Sequence, residues 1–359
     1  MQSVSVLSFP GLVVCLVLVA LGVTACGDEG SDEFAAGAPV VAEPAATPLL
    51  AFFRTRDRYE LATADARGRN LTVIAGKSVD GSVVPSLFAR PAWSPDGEMI
   101  AFAGVDRGDP AGFKADVYVA RADGSEQRRV TTSEDAFSPL WFPDGQTLVY
   151  TRRSLRRSFR GSLWQVRSDG SGRRRLTDSV AGRHDEASSF SPDGSQLAFT
   201  RARCRNGCAS VTTALFVMNP DGTEQQKVLG RASDPAFSPD GRRLAFVSDR
   251  ARNGSLNYGD REFFANELYV MEADGSRRRR LTRTRDLNEA RPSWLPEGTR
   301  LAFQRGEQIQ NAEGMRLFQI NPDGSCERKI LADPKLDTWY ASPSWRPGVS
   351  RRGGGELTC

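Results

Sequence analysis

The sequence predicts an all-β fold of six four-stranded antiparallel sheets, and three observations carry the prediction. The first is a recurring turn. "AWSPDGEMIAF" begins at 92, "LWFPDGQTLVY" at 140, "SFSPDGSQLAF" at 189, "AFSPDGRRLAF" at 236 and "SWLPEGTRLAF" at 293, with a remnant "SWRPG" at 344. The aromatic heads Trp93, Trp141, Phe190, Phe237, Trp294 and Trp345 are spaced by 48, 49, 47, 57 and 51 residues. The second is another turn between these, as in "DVYVARADGSEQRRVT" at 116 and "ELYVMEADGSRRRRLT" at 267. The third is that the runs flanking both turns are short and rich in β-branched and aromatic residues. Repeats of about 50 residues with four short strands imply a β-propeller.

Each element of the unit has a local cause. In Ser-Pro-Asp-Gly, proline presets φ, aspartate bonds its own backbone and glycine takes the left-handed conformation. Apolar residues alternate in the runs that follow, as in "LAFVS" and "LYVM". The unit therefore reads strand, SPDG turn, strand, variable loop, strand, DG turn, strand. A worn first copy, "YELATADARGRNLTVI", starts at 59, and further second-turn copies start at 162, 214 and 316. The chain enters the pattern in mid-unit. "LLAFFRT" at 49 has no SPDG strand before it, and "SPSWR" at 342 has no "LAF" strand after it. Together they complete one blade, which closes the ring through the chain ends and removes exposed sheet edges.

Upstream of the repeats the sequence reads as an address. Residues 11–25, "GLVVCLVLVALGVTA", form an apolar run too short for a comfortable membrane span and of the length of a signal-peptide core. Val23-Thr24-Ala25-Cys26 matches a lipobox, with Cys26 as the acylated residue, although "MQSVSVLSFP" before the run has no Lys or Arg. Residues 27–48, rich in Ala, Pro, Gly and acid, cannot build a core and read as a tether. The expected organisation is a lipoprotein signal peptide at 1–25, acylated Cys and tether at 26–48, propeller at 49–348 and a tail at 349–359. The expected location is the outer face of a bacterial membrane, with membrane contact through the lipid anchor only.

Setting aside Cys15 and Cys26, four cysteines remain, an even number that in an exported chain suggests disulfides. "CRNGC" closes a small loop at Cys204 and Cys208, which leaves Cys326 for Cys359. A metal site is the rival reading, but C-x₃-C beside a single histidine is a poor zinc signal.

The repeats resemble the WD40-like repeats of the TolB family, whose propeller has six blades. The resemblance covers residues 49 to 348. Two departures limit it. The α/β domain that precedes the propeller in TolB has no counterpart in the tether, and Glu297 and the "RPG" remnant depart from the turn consensus. The resemblance implies the propeller, not the task of TolB in the Tol–Pal system.

The topology sorts candidate residues by face. Asp96, Asp144, Asp193, Asp240 and Asp274 belong to turns and are expected to form them. The opposite face carries the variable loops, where propeller ligands usually sit. There, "TRRSLRRSFRGS" offers Arg152, Arg153, Arg156, Arg157 and Arg160 as an anion grip through bidentate contacts. Against this, the chain has 43 Arg to 5 Lys, so arginine is its default cation. The "RRRLT" runs read as charged protection of blade edges. Acids before the inner strands, Asp135, Asp185, Glu186, Asp234, Glu289 and Asp337, are expected near the channel mouth with His184. They are a candidate rim for a ligand or for Ca²⁺, against the plainer reading of a solvated rim. Trp339 and Tyr340 offer a stacking surface or pack the last blade. The long insert at 248–267 explains the 57-residue spacing, and its Tyr258, Phe263 and Phe264 make it the candidate partner loop. "SLFAR" before Pro91 is a second such loop.

These readings favour a lipid-anchored binding or scaffold protein of the cell envelope, with no cofactor, that meets a protein partner through the variable-loop face. The alternatives are an envelope glycan or polyanion binder, and a glycan-processing enzyme using channel carboxylates. The sequence has no G-x-S-x-G elbow and no H-E-x-x-H helix motif. A net charge of +4 gives no expectation of a nucleic-acid partner.

Overall fold

The computed structural model describes residues 49–55, 59–65, 69–76, 84–85, 89–105, 114–133, 135–154, 160–205, 210–258, 261–306, 315–330 and 339–347. Every regular element among them is a strand. β1 (Leu49–Thr55), β2 (Tyr59–Asp65) and β3 (Thr72–Ala75) come first. β4 (Val84–Pro85), β5 (Ala92–Trp93), β6 (Met99–Val105), β7 (Ala115–Arg121) and β8 (Arg128–Arg129) follow. Next are β9 (Ala136–Trp141), β10 (Thr147–Ser154), β11 (Arg160–Arg167) and β12 (Arg174–Arg175). They are succeeded by β13 (Arg183–Phe190), β14 (Leu197–Arg205), β15 (Ser210–Met218) and β16 (Gln226–Gly230). β17 (Ser233–Phe237) and β18 (Arg243–Ser248) lead to the hairpin β19 (Ser255–Tyr258) and β20 (Arg261–Phe264), then β21 (Glu267–Glu272) and β22 (Arg279–Arg280). β23 (Asn288–Trp294), β24 (Leu301–Gly306), β25 (Arg316–Ile320), β26 (Arg328–Ile330) and β27 (Trp339–Trp345) complete the fold.

The sheets only partly match the expected six equal ones. Three are four-stranded: β27-β1-β2-β3, β17-β18-β21-β22 and β23-β24-β25-β26. One has five strands, because β4 and β5 pair separately with β6. One has eight, because β11 and β13 meet in parallel at Arg160↔Arg183 and Gly161↔His184 and fuse two sequence units. β19 and β20 pair only with each other. In the first sheet β27 lies antiparallel to β1, from Leu50↔Trp345 to Thr55↔Trp339.

The inner strands β5, β9, β13, β17, β23 and β27 touch in that order, and β27 also touches β5. Three of the strands that follow SPDG-type turns, β6, β18 and β24, are all but continuously buried rather than buried on alternate residues. The alternation expected from "LAFVS" is absent because neighbouring sheets cover both faces of the strand. The phenylalanine of "LAF" stacks on its cross-strand partner: Phe102 on Tyr118, Phe199 on Phe216, Phe246 on Tyr269 and Phe303 on Phe318, with centroids 5.4–5.8 Å apart. Such pairs add about 0.5–1.5 kcal/mol to the burial of the rings themselves.

The turns also fasten one unit to the next. A Cβ at Gly222, in a DG turn, stands 2.4 Å from the Leu176 carbonyl oxygen of the preceding unit. A Cβ at Gly97 meets Arg346 at 2.7 Å, a contact between the first SPDG turn and the last. Arginines of the outer strands reach the next unit's DG-turn region: Arg128 bonds the Ser168 carbonyl, Arg174 the Asp221 carbonyl and Arg279 the Pro322 carbonyl. The arginine runs read as edge protection thus also act as staples between units.

Candidate functional site

The site grows from one backbone irregularity repeated around the inner strands. Pairing slips between Val149 and Thr151 opposite β9, and at Ser233/Ala236, Ala290/Ser293 and Ala51/Phe53 on the β17, β23 and β27 pairs. At each slip one residue has positive φ: Ser138 (48°), Asp234 (58°), Arg291 (55°) and Ser342 (59°). Each precedes a proline, Pro139, Pro235, Pro292 or Pro343. Proline has no N–H to give to the ladder, so it sits where a bulge has already interrupted pairing. Arg90 precedes Pro91 in the same way. The bulges turn a ring of polar side chains inward.

Those side chains form a closed polar layer. Arg90 pairs with Asp234 at 2.6 Å, and Asp234 also accepts the backbone N–H of Arg291 at 2.9 Å. The Arg291 guanidinium donates to the Ala89 carbonyl at 2.7 Å and to the Ser342 hydroxyl. The Ser138 hydroxyl donates to Glu186 at 2.8 Å, and Arg153 lies over the Phe137 ring at 4.8 Å. Burial pushes Asp234 up, but Arg90, Arg291 and the bonded N–H outweigh it and hold the carboxyl below its ordinary value. Burial, with Arg90 adjoining, lowers Arg291, and burial lowers Arg153. His184 packs its ring against Gly161, and burial lowers its pKa against the pull of Glu186.

On the turn side of this layer lies a cavity of about 410 Å³, lined by all six inner strands. Its wall carries the repeat's aromatic heads, Trp93, Trp141, Phe190, Phe237, Trp294 and Trp345. Arg90 and Ser138 lie at its inner end, and Pro192, Pro239, Pro296 and Pro347 at the turn end. The Trp93 indole donates to the Ser344 carbonyl at 3.1 Å and that of Trp294 to the Ala236 carbonyl at 3.0 Å, tying adjacent inner strands. The buried indole N–H groups of Trp141 and Trp345 have no acceptor among the described residues. The sequence pointed to the variable-loop end of the channel. The lined cavity is on the other side of the polar layer.

The predicted rim residues separate into two groups. Asp185 and Glu289 are fully buried within sheets. Asp185 binds Arg201 through both oxygens at 2.7 and 2.8 Å, and Arg201 stacks on Phe199 and Phe216. Glu289 accepts from Arg305 at 2.8 Å and Thr284 at 2.6 Å, and Arg305 stacks on Phe303 and Phe318. Burial raises Glu289 to about 7 despite the opposing Thr284 and Arg305 contacts, while its second oxygen has no hydrogen-bond partner among the described residues. Asp135 pairs with Arg152 at 2.7 Å. Of the described rim residues, Glu186, Asp234 and His184 join the channel layer. Among the described residues no three of His, Cys, Asp and Glu gather as a metal-ligand group.

Of the anion-grip arginines, Arg152 is tied to Asp135 and lies over Trp164, and Arg153 belongs to the channel layer. Arg160 sits in register with Arg183. Phe264 of the insert hairpin is 44% exposed under Arg252. Cys26, Arg156, Arg157, Cys208, Asp337, Cys359 and the side chains of Tyr258, Phe263, Trp339 and Tyr340 lie outside the described residues. Cys204 and Cys326 are each disulfide-bonded. The turn aspartates act as expected: Asp96 accepts from the Ser94 hydroxyl at 2.5 Å and the Glu98 N–H at 2.9 Å, which holds its carboxyl below its ordinary value. Sequence reasoning missed Arg90, Arg291 and Ser342. Their signal was the proline that follows each of them, two residues before Trp93, Trp294 and Trp345.

Comparison with known proteins agrees with this fold. The TolB beta propeller domain profile matches residues 82–234. The Tol-Pal system protein TolB of Anaeromyxobacter dehalogenans strain 2CP-C is 29% identical over 136 residues, and that of strain 2CP-1 is 33% identical. Each match covers 38% of this chain and 28% of the relative. The crystal structure of TolB from Acinetobacter baumannii superposes with a TM-score of 0.63 at 17% identity, covering 84% of this chain and 67% of that one. The putative TolB from Agrobacterium tumefaciens gives 0.56 at 17% identity, with 84% and 100% covered. The chain carries a TolB-like β-propeller.

Proposed function

We propose that this chain is a binding protein of the bacterial cell envelope that holds a segment of a protein partner in the central cavity of a closed, six-bladed propeller. The cavity carries the reading. Six aromatic heads and the turn prolines give it apolar walls, and Arg90 and Ser138 lie among its lining residues as polar groups. Apolar walls with a few placed polar groups are the usual chemistry of recognition sites. The contact of β27 with β5 and its pairing with β1 support closure, and the six touching inner strands support the blade count.

The remaining parts of the reading concern placement. Residues 1–25 act as a lipoprotein signal, Cys26 is acylated, 27–48 tether the propeller at 49–348, and 349–359 form a tail. Cys204 pairs with Cys208, and Cys326 with Cys359, the latter fastening the C-terminus. The A. dehalogenans relatives named for the Tol-Pal system are consistent with an envelope partner.

The test fills the cavity. Ser188 lines it and is half-buried. Full-length wild type and Ser188→Trp are used to capture proteins from envelope extract. A stoichiometric protein retained by wild type and lost with Ser188→Trp, at an unchanged melting temperature, supports the reading. Equal retention by both, or recovery of glycan alone, overturns it.

A further inference from the structure

Where two sequence units fuse, three arginines stand side by side across three strands. Arg160 on β11 is in register with Arg183 on β13, and Arg183 is in register with Arg203 on β14. Partners in register place their side chains on one face about 5 Å apart, and like charges so placed are destabilising. Arg205 continues the same face two residues on.

Little neutralises this row. Asp185 shares the face, but both of its oxygens are taken by Arg201, and Arg183 reaches it only at 3.6 Å. Asp178 lies 3.9 Å from Arg175 and gives its backbone carbonyl to Arg183. Arg203 and Arg205 are exposed and have no ion pair among the described residues. The buried Nε atoms of Arg160 and Arg183 have no hydrogen-bond acceptor there either. Burial lowers Arg183, and Arg201 and Arg203 add to that against Asp185 and Asp178.

The surroundings specify the partner. Val180, at the turn before Arg183, and Val211, beside the Arg203 partner Thr212, are 45% and 44% exposed. β16 covers β15 only from Ala214 to Val217, so Ser210–Thr212 pair with β14 on one side and have no ladder partner among the described residues on the other. Guanidinium groups, exposed valines and an open edge together match an extended chain that carries both carboxylates and apolar side chains.

We infer that Arg160, Arg183 and Arg203 form a docking site for an acidic, extended segment of a protein partner, separate from the central cavity. This rests on reading the chain as a binding protein, but Ser188→Trp leaves this site intact and changes at Arg203 leave the cavity intact. Failure of one is therefore distinguishable from failure of the other.

The experiment measures fluorescence anisotropy of a labelled ten-residue peptide of alternating Glu and Val against the full-length chain. Wild type is expected to bind at least tenfold more tightly than Arg203→Glu or Arg160→Gln, with Ser188→Trp matching wild type. Arg203→Gln is expected to weaken the peptide while raising the melting temperature of the free chain, because it relieves the repulsion with Arg183. A purely structural arginine would not separate these two effects. The proposal is overturned if all variants bind the peptide equally. It is also overturned if anionic phospholipid vesicles or inorganic phosphate bind with the same arginine dependence while the peptide does not.

Discussion

Arg90 and Asp234 pair in the channel layer from opposite halves of the sequence; each precedes a proline, and Asp234 lies at a bulge. Positive φ costs a non-glycine residue about 1–2 kcal/mol, and here it turns a side chain inward. Glycine marks the other constrained positions. At Gly222, φ 94°, an added Cβ would also collide with the Leu176 carbonyl oxygen, whereas a Cβ at Gly145 finds only Pro95 at 4.0 Å. Gly222→Ala should therefore destabilise by more than about 2 kcal/mol, and Gly145→Ala by only about 1–2 kcal/mol, in urea unfolding. Glu289 gives a pH dependence. Between the ordinary value of 4.5 and about 7 the folded chain retains a proton that the unfolded chain has lost. Stability should fall as pH rises through that window, by on the order of 2 kcal/mol, and Glu289→Gln should flatten the slope.

The turns, the aromatic heads and the order of strands were legible because local chemistry decides them. The bulged inner strands were legible only in part: proline two residues before every head but Phe190 was visible, but not what the bulge would present. The carboxylates were the hardest to read. Asp185–Arg201 and Glu289–Arg305 are cross-strand pairs sixteen residues apart, each with the arginine laid over two aromatic rings. As a sequence, "HDEAS" looks like an exposed rim. In the sheet, Asp185 is a buried strut, because register sets it opposite Arg201. Removing one partner strands the other charge in the interior, at a cost of about 3–5 kcal/mol. Asp185→Asn should lower stability by about that amount in denaturant unfolding. Replacing both partners, Asp185→Leu with Arg201→Met, should recover most of the loss.

At the scale of the molecule, the cavity follows from one arrangement of the inner strands. The C-terminal β27 completes the sheet begun by β1 and stands between β23 and β5 in the line of inner strands. That placement sets Trp345 and Pro347 into the cavity wall with Trp93, whose indole bonds the Ser344 carbonyl. The half-units at 49 and 342 are the two strands that pair here, β1 and β27, and the variable-loop face is where the sequence led one to expect binding. The polar layer of Arg90, Asp234, Arg291 and Ser342 separates that face from the lined cavity, and no sequence pattern reveals a layer built across the ring. The most direct test of the central claim is photocrosslinking in intact cells. A benzophenone side chain is placed at Ser188 in the cavity or at Phe264 on the insert hairpin of the full-length chain. A discrete protein adduct from 188 and none from 264 is the predicted result. An adduct from 264 with none from 188 would place binding on the loops and contradict the account.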